Sequence, residues 1–515
     1  MRLAHWAVNA PLRPLLAAVV AASFVLPVQA ADLLTITRDA LDNNAELSSA
    51  RAEYLAVEAN KEVVQAGLLP QVSASGNVAH NQRYESQGTS RIGAGAGAGN
   101  VTAGAGGDDR YNTVSLSLEA TQALYDALTR RQVTQAARQI DQQVYLLAAT
   151  EQQLLIDVAS AYFDILRAYE VLEARLAQER AIGRQLEQAG EQFEVGLIAI
   201  TEVEEARATF DQSRADRLAA ESNLQVAFEV LEQLTGRRYE SIEALGDSMP
   251  IDLPEPSNRD YWIEKAIELN PQVLAQQEGI EVSRSAVAIA RAGNLPTLQA
   301  FGNYQYADSD VDGVTDYDSS SQVGLSANLP IYTGGRTSAN IRQGTYLLES
   351  SQYQFESQRR STVQQVRSLY TQVSNNVETV EARQQAIVSN RSALEATRAG
   401  YEVGTRNIVD VLNAEQNLYN AIANYAEARY DYVVNLLSLH RQAGLLDVDT
   451  IEEVNAWLTG TEVNFTLPES ISADRYEPVL NIGAPPQPGM SQPGVSQPGV
   501  SQPGLTQPGM SQPGM

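Results

Sequence analysis

The sequence has no cysteine and only three histidines. Without cysteine, disulfides, thiolate nucleophiles and thiolate metal sites are excluded. His5, His80 and His440 lie far apart in the chain, which argues against a histidine-rich metal centre. No combination of nucleophile, base and acid stands out among the other residues. We therefore expect no metal and no cofactor, and we expect that the protein is not an enzyme.

Basic residues are also scarce, with 36 Lys and Arg against 63 Asp and Glu and a formal net charge of −27. A nucleic-acid partner needs a basic surface that neutralises phosphates. Nucleic acid is therefore not an expected partner.

Long hydrophobic runs are missing except near the N-terminus, where residues 15–26 form an apolar segment of 12 residues. This segment is too short to span a bilayer as a helix. Arg2 and Arg13 precede it and supply positive charge, and Val28-Gln29-Ala30 has the small-residue pattern of a cleavage site. We predict a signal peptide at 1–30, cleavage before Ala31, and export without a transmembrane helix.

The chain repeats itself. Residues 192–207 resemble 400–415 at an offset of 208, and residues 40–77 align with 266–303 without a gap. Such a duplication indicates two structural repeats, which we place at 31–257 and 258–445.

Within each repeat, apolar residues recur every seven positions, as at Val366, Val373 and Val380. Sustained heptads predict long helices packed as coiled coils. The predicted long and half-length helices cover 126–194, 200–235, 335–402 and 408–443, and further helices cover 38–69 and 262–295. The long helices would span about 100 Å, and each would be matched by two shorter helices laid end to end.

Between the helices the period changes to two, which predicts strands at about 71–82, 111–124, 297–306 and 321–332. Four strands cannot close a barrel, since about eight are needed before the interior is even filled. Open strand edges are not tolerated in lipid. If these strands lie in a membrane, several chains must share one barrel, and three chains would supply twelve strands.

Several motifs resemble the TolC family of outer-membrane ducts, above all the LPIYTGG segment at 329–335 and the stretch 401–432. The resemblance covers residues 32–445. It implies a homotrimer with a long coiled-coil α-helical barrel and a shared 12-stranded β-barrel. It also implies a channel-tunnel in the outer membrane and the periplasm that works with a periplasmic adaptor protein and an inner-membrane transporter of the RND or ABC type. The implied function is drug efflux or type I protein secretion.

The resemblance also implies a gate at the helical tips. The family ties a tyrosine and an arginine of the second tip to a threonine and an aspartate of the first. The matching residues are Tyr401 and Arg406 opposite Thr201 and Glu202, where glutamate replaces the family's aspartate.

A pore constriction and two tip turns complete the implied site. Asp410 matches the first of the family's two acidic rings, whereas Asn413 makes the second ring neutral. The turns at Val195-Gly196 and Val403-Gly404 are expected to contact the adaptor.

The remaining segments allow simpler interpretations. Residues 446–483 predict a collar beside the helices, and the QPG repeats within 484–515 predict a disordered tail. The DSDVDG segment at 308–313 resembles the start of a calcium loop but lacks the closing glutamate, so a solvated acidic loop is favoured. An exported helical adhesin or filament remains the alternative function, although it would not need alternating strands at the ends of each helical run.

Overall fold

A computed structural model describes residues 30–83, 109–246, 249–309 and 317–464. The predicted signal peptide up to residue 29, the QPG repeats, most of the calcium-loop candidate and the later part of the predicted collar lie outside these residues. The helices are α1 (Leu33–Asn43), α2 (Ala45–Ala66), α3 (Ala127–Glu194), α4 (Ile200–Thr235), α5 (Arg259–Leu269), α6 (Pro271–Ala292), α7 (Arg336–Glu402), α8 (Ile408–Ala443) and α9 (Val448–Asn455). The strands are β1 (Gln71–Arg83), β2 (Asp109–Asp126), β3 (Ser241–Leu245), β4 (Thr297–Ser309), β5 (Tyr317–Asn328) and β6 (Leu458–Asn464).

The four helices α3, α4, α7 and α8 confirm the prediction from the heptads. They contain 68, 36, 67 and 36 residues, so α3 and α7 are each about 100 Å long. The same order of two short helices, two strands, a long helix and a half-length helix occurs twice along the chain. The repeat boundaries at 31–257 and 258–445 stay predictions.

The prediction of single helices at 38–69 and 262–295 is wrong. The first is divided at Asn44 and the second at Asn270, where the backbone becomes extended. Each asparagine side chain accepts hydrogen bonds from the first turn of the next helix. Each also donates across the fold, from Nδ2 of Asn44 to the Leu234 carbonyl and from Nδ2 of Asn270 to the Gln442 carbonyl, both at 3.0 Å. The break therefore ties each short helix to the end of a half-length helix.

Strands β1, β2, β4 and β5 form one antiparallel sheet in that order. The predicted fourth strand, 321–332, lies instead at 317–328. Asn328 pairs with Thr297, which is the first residue of β4, so residues beyond Asn328 have no partner in that strand. Pro330 also lacks the N–H that a ladder requires.

A second, two-stranded sheet pairs β3 with β6 and was missed by the sequence analysis. Both strands are short, and they show no sustained alternation. Together with α9, β6 occupies the start of the segment that was predicted as a collar. Ala31 bridges to Ile242 at the edge of this sheet, so the beginning of the described chain is also held there.

Two of the largest fully buried side chains, Tyr162 and Phe163, lie near the middle of α3. Tyr162 and Phe163 contact each other edge to face, and Phe163 packs against Tyr430 of α8. The Tyr162 hydroxyl donates to the Glu243 carbonyl at 2.6 Å, which fixes the small sheet against the long helix. Among the described helices, none combines the length and the apolar character needed to cross a bilayer.

Candidate functional site at the helical tips

The two tips, where α3 leads into α4 and α7 into α8, have the same turn. Gly196 and Gly404 adopt φ values of 77° and 75°, which lie in the left-handed region. At each tip the glycine N–H and the N–H that follows it donate to carbonyls in the last turn of the long helix, at 2.8–3.0 Å. This double hydrogen bond is the Schellman arrangement, in which glycine avoids the strain of a left-handed residue. The predicted tip turns are therefore equivalent in backbone structure.

The two tips differ in how the next helix begins. Ala199 precedes α4 and makes no side-chain cap. Asn407 precedes α8, and its side chain accepts from the Asp410 N–H at 2.8 Å, while the Asp410 carboxylate accepts from the Asn407 N–H at 3.3 Å. A reciprocal capping box of this kind satisfies two helix-terminal donors. The second tip is therefore the more strongly capped of the two.

Arg406 extends from the second tip with 62% of its side chain exposed. Its guanidinium lies 3.8 Å from the Asp410 carboxylate, one helical turn away. Its aliphatic stem lies on Gly400, where a Cβ would come within 2.9 Å of the Arg406 Cγ. Gly400 therefore gives the arginine stem room beside the end of α7.

Tyr401 connects the second repeat to the first. Its hydroxyl donates to the Gln192 Oε1 at 2.6 Å, which joins α7 to α3. Burial raises the pKa of Tyr401, and the nearby Glu202 carboxylate raises it further. Sequence reasoning missed Gln192, although a signal was present, because position 192 aligns with Gly400 and the two copies differ there.

Thr201 and Glu202 begin α4 at the first tip, with Thr201 exposed and Glu202 half-buried. Glu202 lies close enough to Tyr401 to affect its titration. Among the ion pairs of the described residues, Arg406 contacts Asp410 and not Glu202. The tie between Arg406 and Glu202 stays a prediction.

Asp410 and Asn413, the predicted constriction residues, both lie in the first turns of α8. Asp410 is half-buried and is shared between the capping box and Arg406, whereas Asn413 is exposed. The capping role of Asp410 was missed by the sequence analysis. Their position around a pore axis stays a prediction.

Glu415 of α8 was also missed, and its side chain is fully buried. Its carboxylate accepts from Arg398 of α7 at 2.5 Å and from Gln185 of α3 at 3.4 Å. The signal lay in the heptads, because Glu415 occupies the apolar stripe between Val411 and Leu418. A charged residue on such a stripe indicates a buried polar contact between helices.

No arrangement that could hold a metal ion occurs in the part of the chain that the structure describes. The tip geometry provides hydrogen bonds and ion pairs between helices, and these can hold or release a contact between the two repeats.

Comparison with known proteins identifies relatives over most of the chain. The family model described as outer membrane efflux protein matches residues 36–237 and 262–445, which is more than half of the sequence. Outer membrane protein TolC of Escherichia coli (strain K12) is 32% identical over 456 residues, which cover 86% of this chain and 88% of that protein. The alkaline protease secretion protein AprF of Pseudomonas aeruginosa is 29% identical over 426 residues, covering 81% of this chain and 85% of AprF.

Solved structures show the same fold. A crystal structure of CusC matches with a TM-score of 0.66 at 18% sequence identity, and the match covers 80% of this chain and 92% of that chain. At this identity the likeness concerns the arrangement of helices and strands.

Proposed function

Because this chain belongs to the outer membrane efflux protein family, and is thus an outer-membrane channel protein of the kind used in efflux and type I secretion, we propose that three copies form one conduit. In this assembly the three four-stranded sheets close a shared barrel of twelve strands. The long helices continue from the barrel as a tunnel through the periplasm. One observation carries this proposal, namely a sheet with two unlike faces and two open edges.

The two faces of the sheet differ in chemistry. Val114, Leu116 and Leu118 of β2 point to one side, and the register places Val323 and Leu325 of β5 on that side too. These side chains are exposed, and Val323 reaches 89%. The opposite side is mainly polar; it carries Ser75, Ser117, Asn303, Gln305, Gln322 and Ser326. An exposed apolar face beside a polar one fits a wall with lipid on one side and water on the other.

The two edges of the sheet explain the need for further copies. Within the described residues, β1 and β5 each pair on one side only. An unpaired edge leaves backbone donors and acceptors unsatisfied, which the hydrocarbon core does not tolerate. Since neighbouring strands alternate in direction, β5 of one copy can meet β1 of the next in antiparallel fashion. Three copies would therefore close the ring with an even strand number.

Matched substitutions on β5 test this assembly. Val323→Arg places a charge on the proposed lipid face and should cost about 2–4 kcal/mol per copy near the bilayer midplane. Gln322→Arg places the same charge on the opposite face and should be tolerated. Native mass spectrometry in mild detergent should show three copies for the wild type and for Gln322→Arg, but not for Val323→Arg. A monomer that still conducts in planar bilayers would refute the shared barrel.

We also propose that the tip turns contact a periplasmic adaptor protein, which links the channel to an inner-membrane transporter of the RND or ABC type. Both tips expose apolar side chains, with Leu197 exposed by 74% and Val403 by 73%. A photocrosslinking residue at Val403 should yield a covalent product with an adaptor, identified by mass spectrometry. The same residue at Val388, which is exposed on α7 away from the tip, is the control. Equal adaptor capture at both positions would refute docking by the tips.

A further inference from the structure

The carboxylate of Glu415 lies where three helices meet near the tips. Its side chain has 0% exposure, and Oε1 accepts from Arg398 of α7 at 2.5 Å. Gln185 of α3 approaches the same oxygen at 3.4 Å. Among the described residues, Oε2 is buried and has no hydrogen-bond partner. Arg398 is therefore the principal counter-charge of an enclosed carboxylate.

Apolar clusters pack against α8 on both sides in the turns next to Glu415. Leu394, Val411 and Leu418 form a cluster between α7 and α8. Ile408 and Leu412 belong to a second cluster that joins α8 to α3 and α4. An ionised carboxylate in such a place is very unfavourable unless it is paired.

The two members of the pair differ in their access to water. Arg398 keeps 44% of its side chain exposed, whereas Glu415 has none. If the pair is broken, the guanidinium can remain hydrated where it is. The carboxylate can regain water only if α8 moves away from its neighbours. Breaking the pair is therefore costly mainly because it leaves the Glu415 carboxylate without both a counter-charge and water.

We propose that Arg398 and Glu415 are positioning residues that hold the α7–α8 tip in the arrangement seen here, beneath the exposed gate residues. Pairing stabilises the packed position of α8, and loss of Arg398 favours a displaced, hydrated position. This inference rests on the proposed function in one respect, namely that displacement of the tips opens the channel. Tip displacement itself can be measured without any channel activity.

The proposal predicts an unusual pattern among variants. Arg398→Ala leaves an enclosed charge and should shift the tips towards the displaced state by about tenfold or more. Glu415→Leu removes the enclosed charge and should leave the tips packed. The double variant Arg398→Ala with Glu415→Leu should also stay packed, so the second substitution suppresses the first. Arg398→Lys keeps the charge and should retain most of the packed state.

The absence of native cysteine makes the measurement direct. Leu197→Cys and Val403→Cys place one thiol on each tip turn, and both positions are exposed. Spin labels on these thiols report the distance between the tips by pulsed electron paramagnetic resonance, with labelled chain diluted in unlabelled chain. Resting conductance in planar bilayers provides the second measurement. We expect a longer tip distance and about tenfold higher conductance for Arg398→Ala alone.

Two results would overturn the proposal. One is an unchanged tip distance in Arg398→Ala. The other is an equally long tip distance in Arg398→Ala and in the double variant, because the effect would then come from the lost packing of Arg398. Circular dichroism checks the folding of each variant, and Arg398→Gln replaces Arg398→Ala if the latter does not fold. If even the wild type fails to conduct, the channel proposal fails, while the spin-label distances still decide the role of the pair.

Discussion

Position 192 and its counterpart 400 show how single residues distinguish two nearly equal tips. Gln192 provides an acceptor for Tyr401, and the absence of a side chain at Gly400 gives room for Arg406. The turns themselves share the two Schellman hydrogen bonds. The duplication therefore supplies two similar hairpins, and a few unlike residues make one hairpin contact the other.

Substitutions of the exposed gate residues test the predicted closure. An exposed ion pair contributes only about 0.2–1 kcal/mol, but three copies acting on one ring could bias closure by roughly 1–3 kcal/mol. Arg406→Ala should therefore raise the resting open fraction by about tenfold in single-channel recordings. Unchanged conductance would mean that neither Glu202 nor Asp410 makes a gating contact with this arginine.

The neighbouring acidic position should respond differently. Asp410→Asn removes the charge but keeps a side-chain oxygen that can accept the hydrogen bond from the Asn407 N–H, so the fold should persist. Block by cations from the periplasmic side should weaken, and Asn413→Asp should strengthen it by adding an acidic ring. The concentration of cation that halves the single-channel current measures both effects. If neither variant changes it, these residues do not line the constriction.

The hydrogen bond between Tyr401 and Gln192 should stabilise the contact between repeats. Tyr401→Phe keeps the ring in its apolar surroundings and removes a bond with a net value of about 0.5–1.5 kcal/mol. We expect faster amide exchange in the last turns of α3 and a two- to tenfold rise in resting conductance, at about 1.4 kcal/mol per factor of ten. Tyr370→Phe, on α7 far from the tip in sequence, serves as the control and should leave both measurements unchanged.

His440 should make the region around α5 sensitive to acid. Burial lowers the pKa of His440, whose ring contacts Trp262 with centroids 5.1 Å apart, while Asp447 raises it. As pH falls below about 6.5, His440 takes up a proton in the unfolded chain before it does so in the folded protein. The free energy of unfolding therefore decreases from about pH 6.5 down to the pKa of His440 in the folded protein. The thermal midpoint, followed by tryptophan fluorescence, should fall between pH 7 and 5 in the wild type. His440→Phe should flatten this dependence, and an equal fall of the thermal midpoint in that variant would show that another group is responsible.

At the scale of elements, the ends of the half-length helices hold the shorter helices in place. Gly444, which ends α8, has a φ of 76° and approaches the backbone of Leu269 so closely that a Cβ would lie 2.5 Å from its carbonyl carbon. Asn270 caps α6 and donates to the last turn of α8. The division of each short helical segment therefore follows from a contact that only the assembled fold provides.

Alanine substitutions at two glycines separate backbone strain from close packing. Gly404 has a φ of 75° but no neighbouring atom within 4 Å, so Gly404→Ala should cost only the left-handed strain of about 1–2 kcal/mol. Gly444→Ala adds a clash with rigid backbone and should cost clearly more. Urea unfolding monitored by circular dichroism compares the two variants. Equal losses of stability would show that the contact with Leu269 relaxes easily.

At the scale of the whole molecule, the dominant feature is negative charge. The net charge is −27, and removal of the predicted signal peptide with its two arginines would make it −29. A conduit lined by one sign of charge concentrates the opposite ions. Such a charge influences which ions enter the conduit, whereas the fold is determined by the packing of the apolar stripes.

The charge predicts a cation-preferring channel. Reversal potentials across a potassium chloride gradient should correspond to higher permeability for potassium than for chloride. The preference should weaken near 1 M salt, where the Debye length is about 3 Å. Anion preference at low salt would place the acidic residues away from the conduction path.

Local periodicity determined much of this protein before any tertiary contact was known. The heptads predicted α3, α4, α7 and α8 almost to the residue, and the alternating residues located the four long strands, because both patterns repeat along the chain itself. Tertiary structure alone decided where the short helices divide at Asn44 and Asn270, and how β3 pairs with β6. It also decided that Glu415 is enclosed between helices. These features depend on which surfaces meet after folding, because Asn44, Asn270, β3 and Glu415 each contact residues more than a hundred positions away in the chain.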